Sequence, residues 1–128
     1  MAGGRRSSNP IRVEPAAGGK LKAVTAPRLA TESDSNPAWS PDGTRIAFSR
    51  YVSYGRHADY RRAGIWIVNL ATRRERHLTR SFGSPLAWSP TGDVIAADLG
   101  NDLGEKIAIL TPDGQFAGRF KLDRKSVV

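Results

Sequence analysis

The sequence predicts an all-β fold of two tandem four-stranded units, and three observations predict it. A tryptophan-centred segment occurs twice, turn-forming residues punctuate each copy, and one strand of the first copy is apolar on both faces. Pro37-Ala38-Trp39-Ser40-Pro41-Asp42-Gly43 returns as Pro85-Leu86-Ala87-Trp88-Ser89-Pro90-Thr91-Gly92, with Trp88 lying 49 residues after Trp39. Downstream, Ile65 is matched by Ile107 at an offset of 42, so the first copy carries a longer loop over 50–63. A period of this size is close to the ~40–45 residues of a propeller blade.

The elements follow in order. Residues 1–20, rich in Gly, Ser, Pro and Arg, are expected to form a flexible basic tail. Residues 21–36 read as a linker, in which Pro27–Thr31 is expected to be the outer strand of a preceding blade. Residues 37–80 form the first blade. Ala38–Ser40 is its first strand, and Ser40-Pro41-Asp42-Gly43 its turn: proline presets φ, aspartate bonds nearby backbone, and glycine accepts φ > 0. Ile46–Ser49, Ile65–Leu70 and Glu75–Leu78 complete it. Ile65-Trp66-Ile67-Val68 does not alternate, as expected of a sheet packed on both sides.

The second blade spans 85–122, with strands Leu86–Ser89, Val94–Asp98, Ile107–Leu110 and Phe116–Leu122, and a Pro112-Asp113-Gly114 turn before the last. Residues 123–128 are a tail. No stretch sustains a helical period. The whole predicts a partial β-propeller.

The run Pro-Ala-Trp-Ser-Pro-Asp-Gly, Ile-Ala-Phe-Ser, Ile-Trp-Ile-Val and His-Leu-Thr resembles the WD-type repeat of TolB-like propellers, which also occurs in the propellers of prolyl-oligopeptidase-like peptidases. The resemblance implies structural, not catalytic, roles for Trp39, Pro41, Asp42, Gly43, Trp66, Trp88, Pro90 and Gly92. Thr91 in place of aspartate and Ala108 in place of Trp66 are the departures. Propellers typically need 4–8 blades. Two blades are therefore expected to be part of a larger ring, or to close one by self-association through exposed blade faces. The resemblance implies a periplasmic setting, whereas no export signal is readable in the chain.

A formal charge of +8 arises from 20 Lys and Arg against 12 Asp and Glu, much of it in the termini. Such an excess describes steering and solubility more than a site. The absence of cysteine rules out disulfides and thiolate metal sites. No run approaches the ~20 apolar residues of a membrane-spanning helix. No Gly-x-Ser-x-Gly elbow occurs, and two isolated histidines do not make a zinc site. Gly18-Gly19-Lys20 fails as a phosphate loop, because Glu14 stands where the first glycine belongs and Leu21 where the hydroxyl belongs. No catalytic residue, cofactor or metal is predicted.

Two loops remain. Residues 50–62 interleave four arginines with three tyrosines, a combination enriched at protein-interface hot spots and suited to phosphate contact and base stacking. The expected interaction residues are Arg50, Tyr51, Tyr54, Arg56, His57, Tyr60, Arg61 and Arg62. The counterpart loop in the next blade is acidic. Asp98, Asp102 and Glu105 are expected to pair with Arg56, Arg61 or Arg62 across the blades. The leading expectation is a non-catalytic scaffold with a protein partner. A peptidase propeller and a basic nucleic-acid-binding module are the alternatives.

Overall fold

The computed structural model describes residues 8–28, 30–99 and 106–121. It is a partial propeller of two antiparallel four-stranded sheets, with a short hairpin ahead of them. The hairpin pairs β1 (Arg12–Val13) with β2 (Lys22–Ala23). Blade one contains β3 (Glu32–Trp39), β4 (Arg45–Val52), β5 (Gly64–Asn69) and β6 (Glu75–Thr79) in sequential order. Blade two is likewise sequential, with β7 (Leu86–Trp88), β8 (Ile95–Asp98), β9 (Lys106–Leu110) and β10 (Phe116–Lys121).

The predicted turns join the strands as their chemistry requires. Gly43 has φ 74° and Gly92 φ 80°, the left-handed region that glycine enters without strain. Asp42 accepts from the hydroxyls of Ser40 (2.7 Å) and Thr44 (2.8 Å) and from the Thr44 amide (3.1 Å). These bonds hold its carboxyl at a pKa of about 2. In blade two Thr91 replaces that aspartate, and Asp93 supplies the acceptor, taking the Thr91 hydroxyl at 3.0 Å. Pro41 and Pro90 occupy the same corner of the two turns.

Blade one is apolar on both sides, as its third strand predicts. On one side Ala47, Ile65, Ile67 and Leu78 pack with Leu86, Ile95, Ala97 and Leu110 of blade two. On the other, Ile46, Phe48, Trp66 and Val68 pack with Ile11 and Val24 of the hairpin, and Val13 leans against them. Each fully buried aliphatic side chain of this kind contributes about 1.5–3 kcal/mol.

Three expectations are corrected here. The flexible tail over 1–20 fails at Ile11, which is buried, and its amide donates to the Thr25 hydroxyl at 2.8 Å. Pro27–Thr31 contributes no strand among the described residues. The outer strand ahead of blade one is β2, and blade one's first strand begins earlier, at Glu32. Of the two blade faces expected to be bare, the one ahead of blade one is covered by the hairpin.

Candidate interaction site

The connection from β4 to β5 is the long Arg/Tyr loop, and its base is locked while its tip is open. At the base, the Trp66 indole donates to the Arg62 carbonyl at 2.8 Å, and the Arg62 guanidinium lies 5.0 Å from the Trp66 ring. The same guanidinium donates to both oxygens of buried Glu32, at 2.5 and 3.1 Å. His77 stacks on the other side of the loop base, with ring centroids 4.5 Å from Trp66, and its Nε2 bonds the Ala63 carbonyl at 2.9 Å. Gly64 must be glycine. Its φ is 131°, and a Cβ there would fall 1.9 Å from the Thr79 carbonyl oxygen. On the β4 side, the Ser53 amide donates to the Thr31 carbonyl at 2.8 Å.

Within the loop, Asp59 caps a single 3-10 turn over Tyr60–Arg62, accepting from the Arg61 amide at 3.1 Å and the Arg61 Nε at 2.9 Å. The bond from Arg61 holds the Asp59 carboxyl below its ordinary value. Tyr54 is 95% exposed and Tyr60 51%, with Arg56 and His57 exposed beside them. Tyr51, on the exposed face of β4, meets Phe82 edge-on at 6.3 Å. Tyr54 and Tyr60 are thus exposed on a fixed loop, while Tyr51 and Phe82 form a separate exposed pair outside it. Isolated exposed aromatics need no explanation, but two tyrosines displayed on one braced loop do.

Arg50 is a correction. It belongs to β4, not to the loop, and its side chain is 0% exposed. Its Nε and Nη2 grip Asp34 at 2.7 and 2.8 Å, and Nη1 reaches Glu75 at 3.1 Å. The guanidinium also lies 4.4 Å from the Trp66 ring. Burial pushes its pKa down, but the Asp34 and Glu75 bonds and charges outweigh that and hold it above the ordinary arginine value. Glu32 is governed similarly. Burial pushes its carboxyl up, while the Arg62 bond, the Arg28 amide and the two arginine charges bring it below its ordinary value.

Of the pairing expected between the loops, only the arginine side and Asp98 fall among the described residues. Arg61 pairs with Asp59 and Arg62 with Glu32, both carboxylates of blade one. Asp98 lies at the end of β8, its backbone bonded to Ser84 and Pro85. Asp102 and Glu105 lie outside the described residues. With Arg50 buried in β4 and Arg61 and Arg62 paired, Arg56 alone of the four arginines of 50–62 forms no ion pair among the described residues. That leaves little of the positive stripe that phosphate tracking requires.

Of the residues expected to be structural, Trp66 and Trp88 are packed, but Trp39 is 54% exposed. Trp88 donates from Nε1 to the Ala38 carbonyl at 2.9 Å, and Arg45 lies 4.8 Å from its ring. Elsewhere, a cleft of about 770 Å³ between the blades is lined by Arg45, Arg74, Arg76, Glu75 and Asp113. No group of His, Cys, Asp or Glu among the described residues is arranged to hold a metal ion. No described helix is long and apolar enough to cross a membrane.

The Tol-Pal system protein TolB of Alcanivorax borkumensis is 39% identical over 102 residues, which cover 77% of this chain and 21% of that protein. Among solved structures, a TolB from Agrobacterium tumefaciens superposes with TM-score 0.65 at 18% identity, covering 91% of this chain and 38% of the other. The chain belongs to the TolB-like β-propeller family. The propeller domain of the trilobed protease from Pyrococcus furiosus shares the fold, with TM-score 0.53 at 17% identity over 71% of this chain and 29% of that one. No protein-family model matches. The chain spans about a fifth of the length of the curated TolB relatives it matches. The four-stranded blade occurs twice in this chain, and the Arg/Tyr loop joins the second and third strands of blade one.

Proposed function

We propose that this TolB-like segment is a non-catalytic propeller scaffold that binds a protein partner through the Arg/Tyr loop of blade one. The observation that carries the reading is the contrast within that loop. Its base is clamped by Trp66, Glu32, His77 and Gly64, while Tyr54 and Tyr60 project from its tip. A braced loop loses little conformational entropy on binding, so exposed aromatics on it convert contact area into affinity efficiently. Tyrosine and arginine are also the residues that dominate binding hot spots. A relative whose name places it in the Tol-Pal system fits a role among other proteins.

A photo-crosslinking residue placed at Tyr54 or Tyr60 in the full chain, expressed in a bacterial cell, tests the reading. A discrete protein adduct is expected at these positions and not at Thr44, an exposed position in the β3–β4 turn. Equal adducts at all three, or none at the loop, would remove the proposal.

A further inference from the structure

The hairpin ahead of blade one is the outer half of another blade. Ile11 and Val13 stand 54 residues before Ile65 and Ile67, and Val24-Thr25 stands 54 before Leu78-Thr79. The packing repeats with the sequence. Ile65, Ile67 and Leu78 of blade one meet Ile95, Ala97 and Leu110 of blade two. In the same way Ile11, Val13 and Val24 meet Ile46, Phe48 and Val68, the corresponding positions one blade earlier. Thus β1 and β2 pack as third and fourth strands do.

Among the described residues, the hairpin side of that interface has no inner strands. At the junction of the two blades, the inner strands β3 and β4 add Ala38 and Ala47 to the cluster, a carbonyl to the Trp88 indole, and Arg45 to its ring. Trp39 is the counterpart of Trp88. Among the described residues it has neither partner, and it is 54% exposed. On the same side, β1 pairs among the described residues only with β2, whereas its counterpart β5 pairs with β4 as well as β6. The Val24 amide donates to the Ile11 carbonyl. Because bonding direction alternates along a strand, the Arg12 N–H faces the free edge.

We propose that the β1 edge and Trp39 together form a docking site for the inner β-hairpin of a blade of this same repeat. The occupant adds a strand to β1, offers a carbonyl to the Trp39 Nε1, and places an arginine over the indole. Edge addition of this kind draws affinity from main-chain bonds and selectivity from the side-chain pockets.

The test appends a second copy of residues 35–50 ahead of Met1 of the full chain, so that docking is intramolecular and the local concentration reaches roughly the millimolar range. Acrylamide quenching of Trp39 is read as the difference between each protein and its Trp39→Phe variant. Quenching is expected to fall to the level of Trp88, and the melting temperature to rise by about 3–8 °C. Both gains are expected to vanish with a scrambled copy or with Arg12→Pro, and the quenching protection to weaken when the added copy's counterpart of Arg45 is replaced by alanine. Far-UV circular dichroism confirms that each variant is folded. Should Arg12→Pro not fold, Trp39→Ala in the extended chain serves instead, and it too is expected to lose the melting gain. An added copy that leaves Trp39 quenching unchanged, or a scrambled copy that protects it equally, overturns the proposal.

Discussion

Blade one has two flanks, and they are held by different physics. Toward blade two the contact is mainly apolar: Ile65, Ile67, Leu86, Ile95 and Leu110 interlock, and the Trp88 indole is bonded and covered by Arg45. Toward the hairpin the apolar cluster is smaller, and a buried polar chain supplements it. The Ile11 amide donates to Thr25, whose hydroxyl donates to Asp34 at 2.7 Å; Asp34 is gripped by Arg50, and Arg50 reaches Glu75. Glu75 in turn accepts the Ala26 amide at 2.7 Å. Where half of a blade is present, charge and hydrogen bonds pin what shape alone cannot. The difference teaches how a two-strand hairpin, marginal by itself in water, is kept in place.

Breaking that chain is the harshest way to separate the flanks. Arg50→Ala leaves Asp34 and part of Glu75 buried without a counter-ion, a loss of the order of 3–5 kcal/mol. The expected outcome in urea titration is a large fall in the midpoint, with amide exchange at Ile11 and Val24 rising most. Arg50→Lys is expected to recover only part, because one ammonium cannot hold both Asp34 oxygens in the planar fork. An Arg50→Ala protein as stable as the parent would show that the hairpin rests on apolar contact alone.

Next in size is the paired comparison of the two repeat tryptophans. Trp88→Ala removes a packed ring and its bond to Ala38, and is expected to cost about 2–4 kcal/mol. Trp39→Ala, at the exposed counterpart, is expected to stay within about 0.5 kcal/mol. Equal losses at the two positions, measured by the same titration, would mean that Trp39 is already seated.

Smaller still is the effect of trimming the loop tip. Tyr54→Ala with Tyr60→Ala is expected to move stability by less than about 0.5 kcal/mol, because neither ring is packed in the core. It should nevertheless abolish the adducts formed by a crosslinker at Arg56. A large stability loss would place the tip in the fold and not at a partner.

How far this contrast was legible in the sequence depends on how local its causes are. The Trp-Ser-Pro-x-Gly turns and the doubly apolar Ile65–Val68 strand announce themselves within a few residues, so two blades could be read directly. The hairpin could not. Its strands are two residues long, and Lys20, Lys22 and the Gly18-Gly19 turn give it the composition of a tail. The usable signal was the 54-residue echo of Ile65, Ile67 and Leu78-Thr79 in Ile11, Val13 and Val24-Thr25. Arg50 was misplaced for another reason. Next to Tyr51 it reads as loop, and only Asp34 and Glu75, 16 and 25 residues away, make its burial favourable. The Arg/Tyr loop was visible as an insertion, whereas its bracing by Glu32 and Trp66 is tertiary.

The mildest test concerns His77, which ties the loop base to the core side of β6. Burial lowers its pKa below the ordinary 6.5; bonds to the Ala63 and Thr79 backbone act in the opposite direction, and the charges of Arg62 and Arg80 add to the lowering. Because the folded value lies below the unfolded one, the unfolded chain binds the extra proton first. The associated stability is therefore complete above about pH 6.5 and declines as the pH falls through that value toward the folded pKa. Glu32, also held low, adds a separate loss only further down, as the pH falls below its ordinary 4.5. The expected outcome is a shallow decline in the urea midpoint from pH 7 to 5 that is absent in His77→Gln, followed by a second decline below pH 4.5 that persists in it. Protonation of His77 sets the imidazolium against the Arg62 charge that also faces Trp66, so the loop base should loosen before the blades do. Amide exchange at Ala63 and Gly64 in the same pH interval should then rise ahead of exchange at Ile95 and Leu110, which lie on the other flank.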